Sequence, residues 1–225
     1  MAALFSRFYE RFGLNAFVQG EYGKAERWFR KLEVVEPKSM RVLHNLGVIL
    51  LALGESSAAE RYLLEEERLY GPAYQRHLAL ANLAYACGRR DDAARRYESA
   101  LSDKEAAPGG EHFPTRRSLE ARLETCQDEA RWDRSRRSET LFMEAVRARE
   151  ASKLADAAAF FEEAGLLDPT NWPAFNNAGT IMLNELRQPA RAAQLFESAL
   201  AMSGSAQVAY NLELARTAEA KETSR

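Results

Sequence analysis

The chain has 225 residues, of which 46% are hydrophobic and 28% charged, and its formal net charge is −2. This composition is sufficient to bury a core, and the near-neutral charge excludes a general attraction to nucleic acid or acidic membranes. Two cysteines, Cys87 and Cys126, are too few for a disulfide framework and fit a reducing cytoplasm. Charge from Arg7 onward leads us to expect no secretory leader, and the longest uncharged runs, 42–54 and 171–184, are too short to span a bilayer.

Residue types recur in the first half of the chain at a spacing of 34 residues. The recurring positions are Gly13, Gly47 and Ala81; Gly20, Gly54 and Gly88; Ala25, Ala59 and Ala93; and Phe29, Leu63 and Tyr97. The unit resembles the tetratricopeptide repeat, a helix-turn-helix of this length, and the stretch 20–29 with Pro37 matches the second helix of that repeat. The resemblance implies an all-α fold, an α-solenoid of helix-turn-helix repeats, and a protein that binds other proteins.

Three repeats follow one another without a gap, at 6–39, 40–73 and 74–107. The first helix of each carries apolar residues at helical spacing, namely Tyr9, Phe12 and Ala16, then Leu43, Leu46 and Leu50, then Leu80 and Ala84. We expect the small residues at 13, 47 and 81 where the second helix crosses the first. The glycines at 20, 54 and 88 should end the first helices in a left-handed conformation.

The regular spacing fails between residues 108 and 137. Residues 108–110 (Pro-Gly-Gly) predict a loop, and the apolar stripe of Leu119, Leu123, Cys126 and Ala130 predicts a single linking helix after Pro114. This helix would cap the first array with a polar outer face. A degenerate extra repeat is the alternative.

Two further repeats are predicted at 138–171 and 172–206, followed by a C-terminal solvating helix at 207–220. The first of them departs from the pattern at Glu144, where Leu is usual, and at Ser152, where Gly is usual. In the last repeat Ala192 and Phe196 come one residue late, which indicates an insertion in the turn at 184–189.

The polar residues do not form a recognisable catalytic, cofactor or metal site. His44, His77 and His112 have no Cys, Asp or Glu at ligand spacing, so we expect no metal, no cofactor and no enzymatic activity. The segment 131–137 combines arginines with Trp132, a mixture able to bind RNA. Because acidic residues surround it, a solvated charged helix is the favoured interpretation.

The family register places certain first-helix positions on the concave surface of the array. The partner-binding groove predicted in this way consists of Leu14, Phe17, Val18, His44, Val48, Leu51, Leu78, Asn82 and Tyr85. The groove is apolar at its centre, and an apolar surface of this size is unusual unless something binds there. The alternative is that several of these side chains pack within the superhelix, or that the segment before Arg7 covers them.

The groove does not reproduce the carboxylate clamp of heat-shock co-chaperones, which uses Lys, Arg and Asn at five positions. Only Asn45 matches among the residues that correspond here, Glu10, Leu14, Asn45, Gln75 and Ala79. An extended or helical apolar segment suits this groove better than a peptide carboxylate.

The sequence therefore predicts a non-catalytic, cytoplasmic interaction module or scaffold whose partners are proteins or peptides, without membrane insertion. A secretion-type chaperone, a self-assembling scaffold and, least favoured, an RNA-binding protein are the alternatives.

Overall fold

The computed structural model describes residues 2–103 and 116–223, and in these residues it contains twelve α-helices and no strand. Their bounds are α1 Ala2–Val18, α2 Tyr22–Val35, α3 Met40–Ala52, α4 Ser56–Tyr70, α5 Tyr74–Ala86, α6 Arg90–Ser102, α7 Arg116–Gln127, α8 Glu129–Glu150, α9 Leu154–Leu167, α10 Trp172–Asn184, α11 Pro189–Ser203 and α12 Ala206–Thr223. The chain divides into two compact units, Met1–Ala106 and Ala107–Arg225. The loop predicted at 108–110 lies outside the described residues.

The first unit consists of three helix hairpins, α1 with α2, α3 with α4 and α5 with α6. Helices α3 and α5 begin at Met40 and Tyr74, the first residues of the second and third predicted repeats. Helix α2 packs on α3, and α4 packs on α5, so each hairpin stacks on the next. The core shared by the first two hairpins and α5 includes Phe29, Leu32, Val42, Leu46, Leu50, Leu63 and Leu83.

Small residues stand where the two helices of a hairpin cross, as predicted. A Cβ atom added to Gly13 would lie 2.5 Å from the ring of Phe29. Ala25, Ala59 and Ala93 have no exposed surface, which places them inside their hairpins. The small side chains therefore allow the close approach of the two backbones.

The residues that end the first helices are left-handed, also as predicted. Gly20, Gly54 and Gly88 have φ of 76°, 80° and 74°. Ser152 occupies the corresponding place between α8 and α9 and has φ of 59°, so the left-handed turn is kept there without glycine.

The second unit pairs α8 with α9 and α10 with α11, and α12 packs on α11. Its core includes Phe161, Phe175, Ile181, Leu195, Phe196, Val208 and Leu212. Helices α10 and α11 flank the turn at 184–189, where the sequence indicates an insertion and Arg187 is left-handed with φ of 54°.

The prediction of one linking helix through Ala130 is wrong. Helix α7 ends at Gln127, and the Asp128 side chain accepts a hydrogen bond from the backbone N–H of Arg131 at 2.8 Å. This cap starts α8, which continues through residue 137 to Glu150. The predicted boundary between a linking helix and the fourth repeat therefore lies inside one helix of 22 residues.

None of the helices in the described ranges is both long enough and apolar enough to cross a membrane.

Candidate partner-binding surface

The nine residues of the predicted groove lie on the first helices of the three hairpins, α1, α3 and α5, and they differ widely in exposure. Leu14 and Val18 are exposed, with fractions of 41% and 76%. Phe17, Val48 and Leu51 are half-buried and pack on the core of the first unit.

Two apolar members of the predicted groove are buried instead of open. Leu78 is 9% exposed and Tyr85 is 8% exposed. The Tyr85 ring meets the ring of Tyr97 edge to face, with centroids 6.3 Å apart. A partner would reach Leu14, Val18 and the half-buried side chains before it reached these two.

The polar members of the predicted groove make hydrogen bonds within the first unit. His44 lies half-buried, with Nδ1 3.0 Å from Oε2 of Glu66. Asn82 accepts a hydrogen bond from the Tyr97 hydroxyl at 2.8 Å through Oδ1. Both side chains are therefore held in place by second helices of the array, α4 and α6.

Arg41 marks one edge of this surface and lies between two carboxylates. Its Nη1 donates to Glu10 at 2.7 Å, and its Nε donates to Glu36 at 2.9 Å. The hydrogen bond from Arg41, together with one from Ser6, lowers the pKa of Glu36 below its ordinary value. Since this cation is already neutralised, the edge offers little attraction to a peptide carboxylate.

A buried ion pair lies beneath the predicted groove. Glu66 and Arg76 are 2% and 7% exposed, and Arg76 Nη1 donates to Glu66 at 3.2 Å. Arg76 also donates to the backbone carbonyls of Tyr70 and Gly71. The sequence analysis did not predict this pair. Arg76 stands 34 residues after the apolar Val42, and a charged residue at a register position that is apolar in the preceding repeat could have indicated a buried ion pair.

A cavity of about 340 Å³ lies between α2 and α4 and was not predicted either. It is lined by Glu33, Pro37, Lys38, Leu43, Arg61, Tyr62 and Glu65. Tyr62 donates a hydrogen bond to Glu33 at 2.8 Å, and burial, followed by this hydrogen bond, raises its pKa. Glu33 and Glu65 on the rim are thus paired with Tyr62 and Lys38, while Arg61 is exposed.

The tryptophan of the basic-aromatic segment 131–137 is buried. Trp132 is only 9% exposed, and the guanidinium of Arg136 lies 4.6 Å from the centroid of its ring. Arg131 pairs with Glu124 at 2.6 Å, and Arg136 pairs with Glu139 at 2.7 Å. The tryptophan needed to stack on a nucleic-acid base is therefore engaged within the second unit.

Residues 77–110 match a family model described as the tetratricopeptide repeat. They cover α5 from His77 and all of α6, and a glycine stands at the helix crossing in both hairpins before it. The chain contains a tetratricopeptide repeat at 77–110. Its fold class is the all-α solenoid of helix-turn-helix repeats.

Several solved structures of tetratricopeptide proteins are similar to this chain. A protein titled YrrB, "a TPR protein with an unusual peptide-binding site", is 13% identical, with a TM-score of 0.43 over 91% of this chain and 90% of that one. PilF of Pseudomonas aeruginosa is 15% identical, with a TM-score of 0.44 over 98% and 91%. The TPR domain of P58(IPK) is 16% identical, with a TM-score of 0.46 over 93% and 54%. No curated protein matches the chain.

The tetratricopeptide repeat is in general a scaffold for protein interaction, and proteins of the family are typically non-catalytic. The fold of this chain therefore points to protein partners.

Proposed function

We propose that the first unit binds an apolar or helical segment of a partner protein across α1, α3 and α5. The observation that carries this proposal is the exposure of Leu14 and Val18, at 41% and 76%, on a helix whose neighbouring Phe17 is half-buried. Large aliphatic side chains beside a core are typical anchor points for an amphipathic helix.

The surface continues from α1 to the next first helices. The ion pair between Glu10 and Arg41 joins α1 to α3, and α3 packs directly on α5. Val48 and Leu51 on α3 are half-buried, so they add partly open apolar area to that of Leu14. We infer a binding strip whose open apolar area lies on α1 and α3 and whose edge carries Arg41 between two carboxylates.

We propose that this protein binds without catalysis and acts in the cytoplasm. The two cysteines, Cys87 and Cys126, are not joined in a disulfide, which is compatible with a reducing compartment. The division into five repeats is part of the same proposal, and its supports are the hairpins that begin at Met40, Tyr74 and Trp172.

The test compares two double variants with the same chemistry. Leu14→Asp/Val18→Asp places carboxylates on the proposed strip, and Val34→Asp/Leu64→Asp places them on exposed aliphatic positions of α2 and α4. Partners are isolated by affinity purification and identified by mass spectrometry, and the binding segment is then titrated calorimetrically. Loss of central anchors should weaken binding by about thirtyfold, or about 2 kcal/mol, in the first variant alone.

The melting temperature of each variant is measured beside its affinity. Binding that survives Leu14→Asp/Val18→Asp, in a protein that remains folded, would exclude the proposed strip. Loss of binding in both double variants would equally argue against a site confined to the first helices.

A further inference from the structure

Five aromatic side chains cluster in the first hairpin, and we call this set the aromatic end face: Phe5, Phe8, Tyr9, Phe12 and Trp28. The Phe8 and Phe12 ring centroids are 4.4 Å apart, and those of Phe12 and Trp28 are 5.4 Å apart. Phe5, Phe8 and Phe12 remain 48%, 47% and 41% exposed. Three phenylalanines in contact with water, side by side, form an apolar patch of the kind that marks an interaction site.

The equivalent positions in the next two hairpins show what covers such a face. The residues 34 positions after Phe8 and Phe12 are Val42 and Leu46, and neither has exposed surface. They lie on α3, on which α2, the second helix of the preceding hairpin, packs. Leu80, a further 34 residues on, is 5% exposed, and α4 packs on its helix in the same way. In the second and third hairpins, the positions that correspond to the aromatic end face are thus covered by a helix of the preceding hairpin.

The charges around the aromatic end face are positive. Arg7, Arg11, Arg27 and Lys31 are exposed, and none of them forms an ion pair with any residue of the two described ranges. Lys31 Nζ lies 4.3 Å from the centroid of the Trp28 ring.

The acidic side chains of α1 and α2 are committed to other cations. Glu10 binds Arg41, and Glu26 and Glu33 bind Arg30. The cations beside the aromatic end face are therefore left for a ligand, and their sign requires that this ligand be acidic.

We propose that the aromatic end face docks an amphipathic helix of a partner protein in which Asp or Glu flank an apolar stripe. Helix α4 shows the matching chemistry inside this chain, because it packs on α5 and brings Glu66 against Arg76. Two copies of the chain joined symmetrically through this face would bring Arg11 and Lys31 against the same cations of the partner copy. Like charges in contact disfavour that arrangement, so a different, acidic helix is the occupant.

The probe is a synthetic peptide with the 15-residue sequence of α4, Ser56–Tyr70, which carries a fluorescent label and four glutamates. A side-chain staple between positions 57 and 61 holds the peptide helical, since a free helix of this length is only marginally stable. The control peptide has glutamine in place of Glu60, Glu65, Glu66 and Glu67. Binding to the full-length chain is followed by fluorescence polarisation.

We expect the acidic peptide to bind the wild-type chain, and the glutamine peptide to bind at least about tenfold more weakly. Arg11→Glu/Lys31→Glu should weaken binding by a similar factor, and Phe8→Ala/Phe12→Ala should weaken it as well. The matched control, Arg61→Glu/Arg95→Glu, reverses two exposed cations on α4 and α6 and should leave the affinity unchanged. The Leu14→Asp/Val18→Asp variant should also bind the peptide, because these residues belong to the strip proposed above and not to the aromatic end face.

Three results would overturn the proposal. The first is equal affinity of the two peptides, or no binding of either. The second is binding of the chain to phosphatidylserine vesicles through Phe8, Phe12 and Arg11 without binding of the peptide, which would assign the face to lipid. The third is self-association of the chain that is lost in Phe8→Ala/Phe12→Ala, which would assign the face to a second copy.

Discussion

A Cβ atom added to Gly47 would lie 2.6 Å from Cγ of Leu63, closer than real side chains approach one another. Gly47 is on α3 and Leu63 is on α4, and both are buried. This contact sets the distance between the two helices of the hairpin. Its counterparts join Gly13 to Phe29 in the first hairpin and Gly179 to Phe196 in the hairpin of α10 and α11.

Gly47→Ala should therefore destabilise the first unit. Leu63 is 1% exposed, so the extra methyl group should overpack the core at a cost of about 1 to 3 kcal/mol of unfolding free energy. Urea denaturation followed by circular dichroism measures this loss. Gly23→Ala is the control, because nothing lies within 4 Å of a Cβ atom at that position, and it should not destabilise. Equal stability of the two variants would contradict the close approach at Gly47.

Arg76→Met should destabilise the protein more than removal of both members of the buried ion pair. The single change leaves the carboxylate of Glu66, which is 2% exposed, without its arginine, at a cost of about 3 to 5 kcal/mol. Glu66→Leu/Arg76→Met removes the buried charge and should recover part of that loss. A double-mutant cycle measured by urea denaturation tests the coupling, and strict additivity of the two single changes would refute it.

Glu65 should titrate far below an ordinary glutamate. Hydrogen bonds from Arg68 and then from Lys38 lower its pKa from 4.5 to about 2. Because the folded pKa is depressed, the stability that these bonds provide is present above about pH 4.5 and is lost as the pH falls toward 2.

The carboxyl carbon-13 shift of Glu65 reports this titration directly. Arg68→Met should raise the pKa of Glu65 more than Lys38→Met does, because Arg68 donates at 2.7 and 2.9 Å whereas Lys38 Nζ lies 3.2 Å away. A pKa near 4.5 in the wild-type protein would show that the ion pairs are absent in solution.

Fragments 1–106 and 107–225 should each unfold cooperatively. Each compact unit has a hydrophobic core of its own. In a stack of repeats, each repeat is stabilised chiefly by contacts with the repeats next to it. Calorimetry of the two fragments and of the whole chain provides the measurement. A fragment without a cooperative transition would mean that its core needs the other unit.

The repeat register could be predicted from the sequence because each residue type that recurs in it is required by a local steric constraint. Gly47 and Ala59 must be small where two helices cross, and Gly54 must be left-handed where one helix ends. These requirements recur at a fixed spacing, which a single sequence displays. Ser152 shows the limit of reading residue types, since its backbone is left-handed without glycine.

The exposure of groove residues could not be predicted in the same way. Leu14 and Leu78 are leucines at positions 9 and 5 of their repeats, about one helical turn apart on first helices, yet one is 41% exposed and the other 9%. Burial depends on how many hairpins flank the residue, and that is a property of the stack. The start of α8 was missed for a different reason: the cap at Asp128 interrupts an apolar stripe whose spacing continues unbroken.

The proposal that partners bind across α1, α3 and α5 is tested most directly by site-specific photo-crosslinking. A photoreactive phenylalanine analogue is placed at Leu14 in one variant and at Arg61, an exposed position on α4, in another. Both proteins are irradiated with the purified partner segment, and the crosslinked product is quantified by mass spectrometry. We expect efficient crosslinking from position 14 and none from position 61. Crosslinking from position 61 alone would show that partners bind the second helices and would contradict the proposed site.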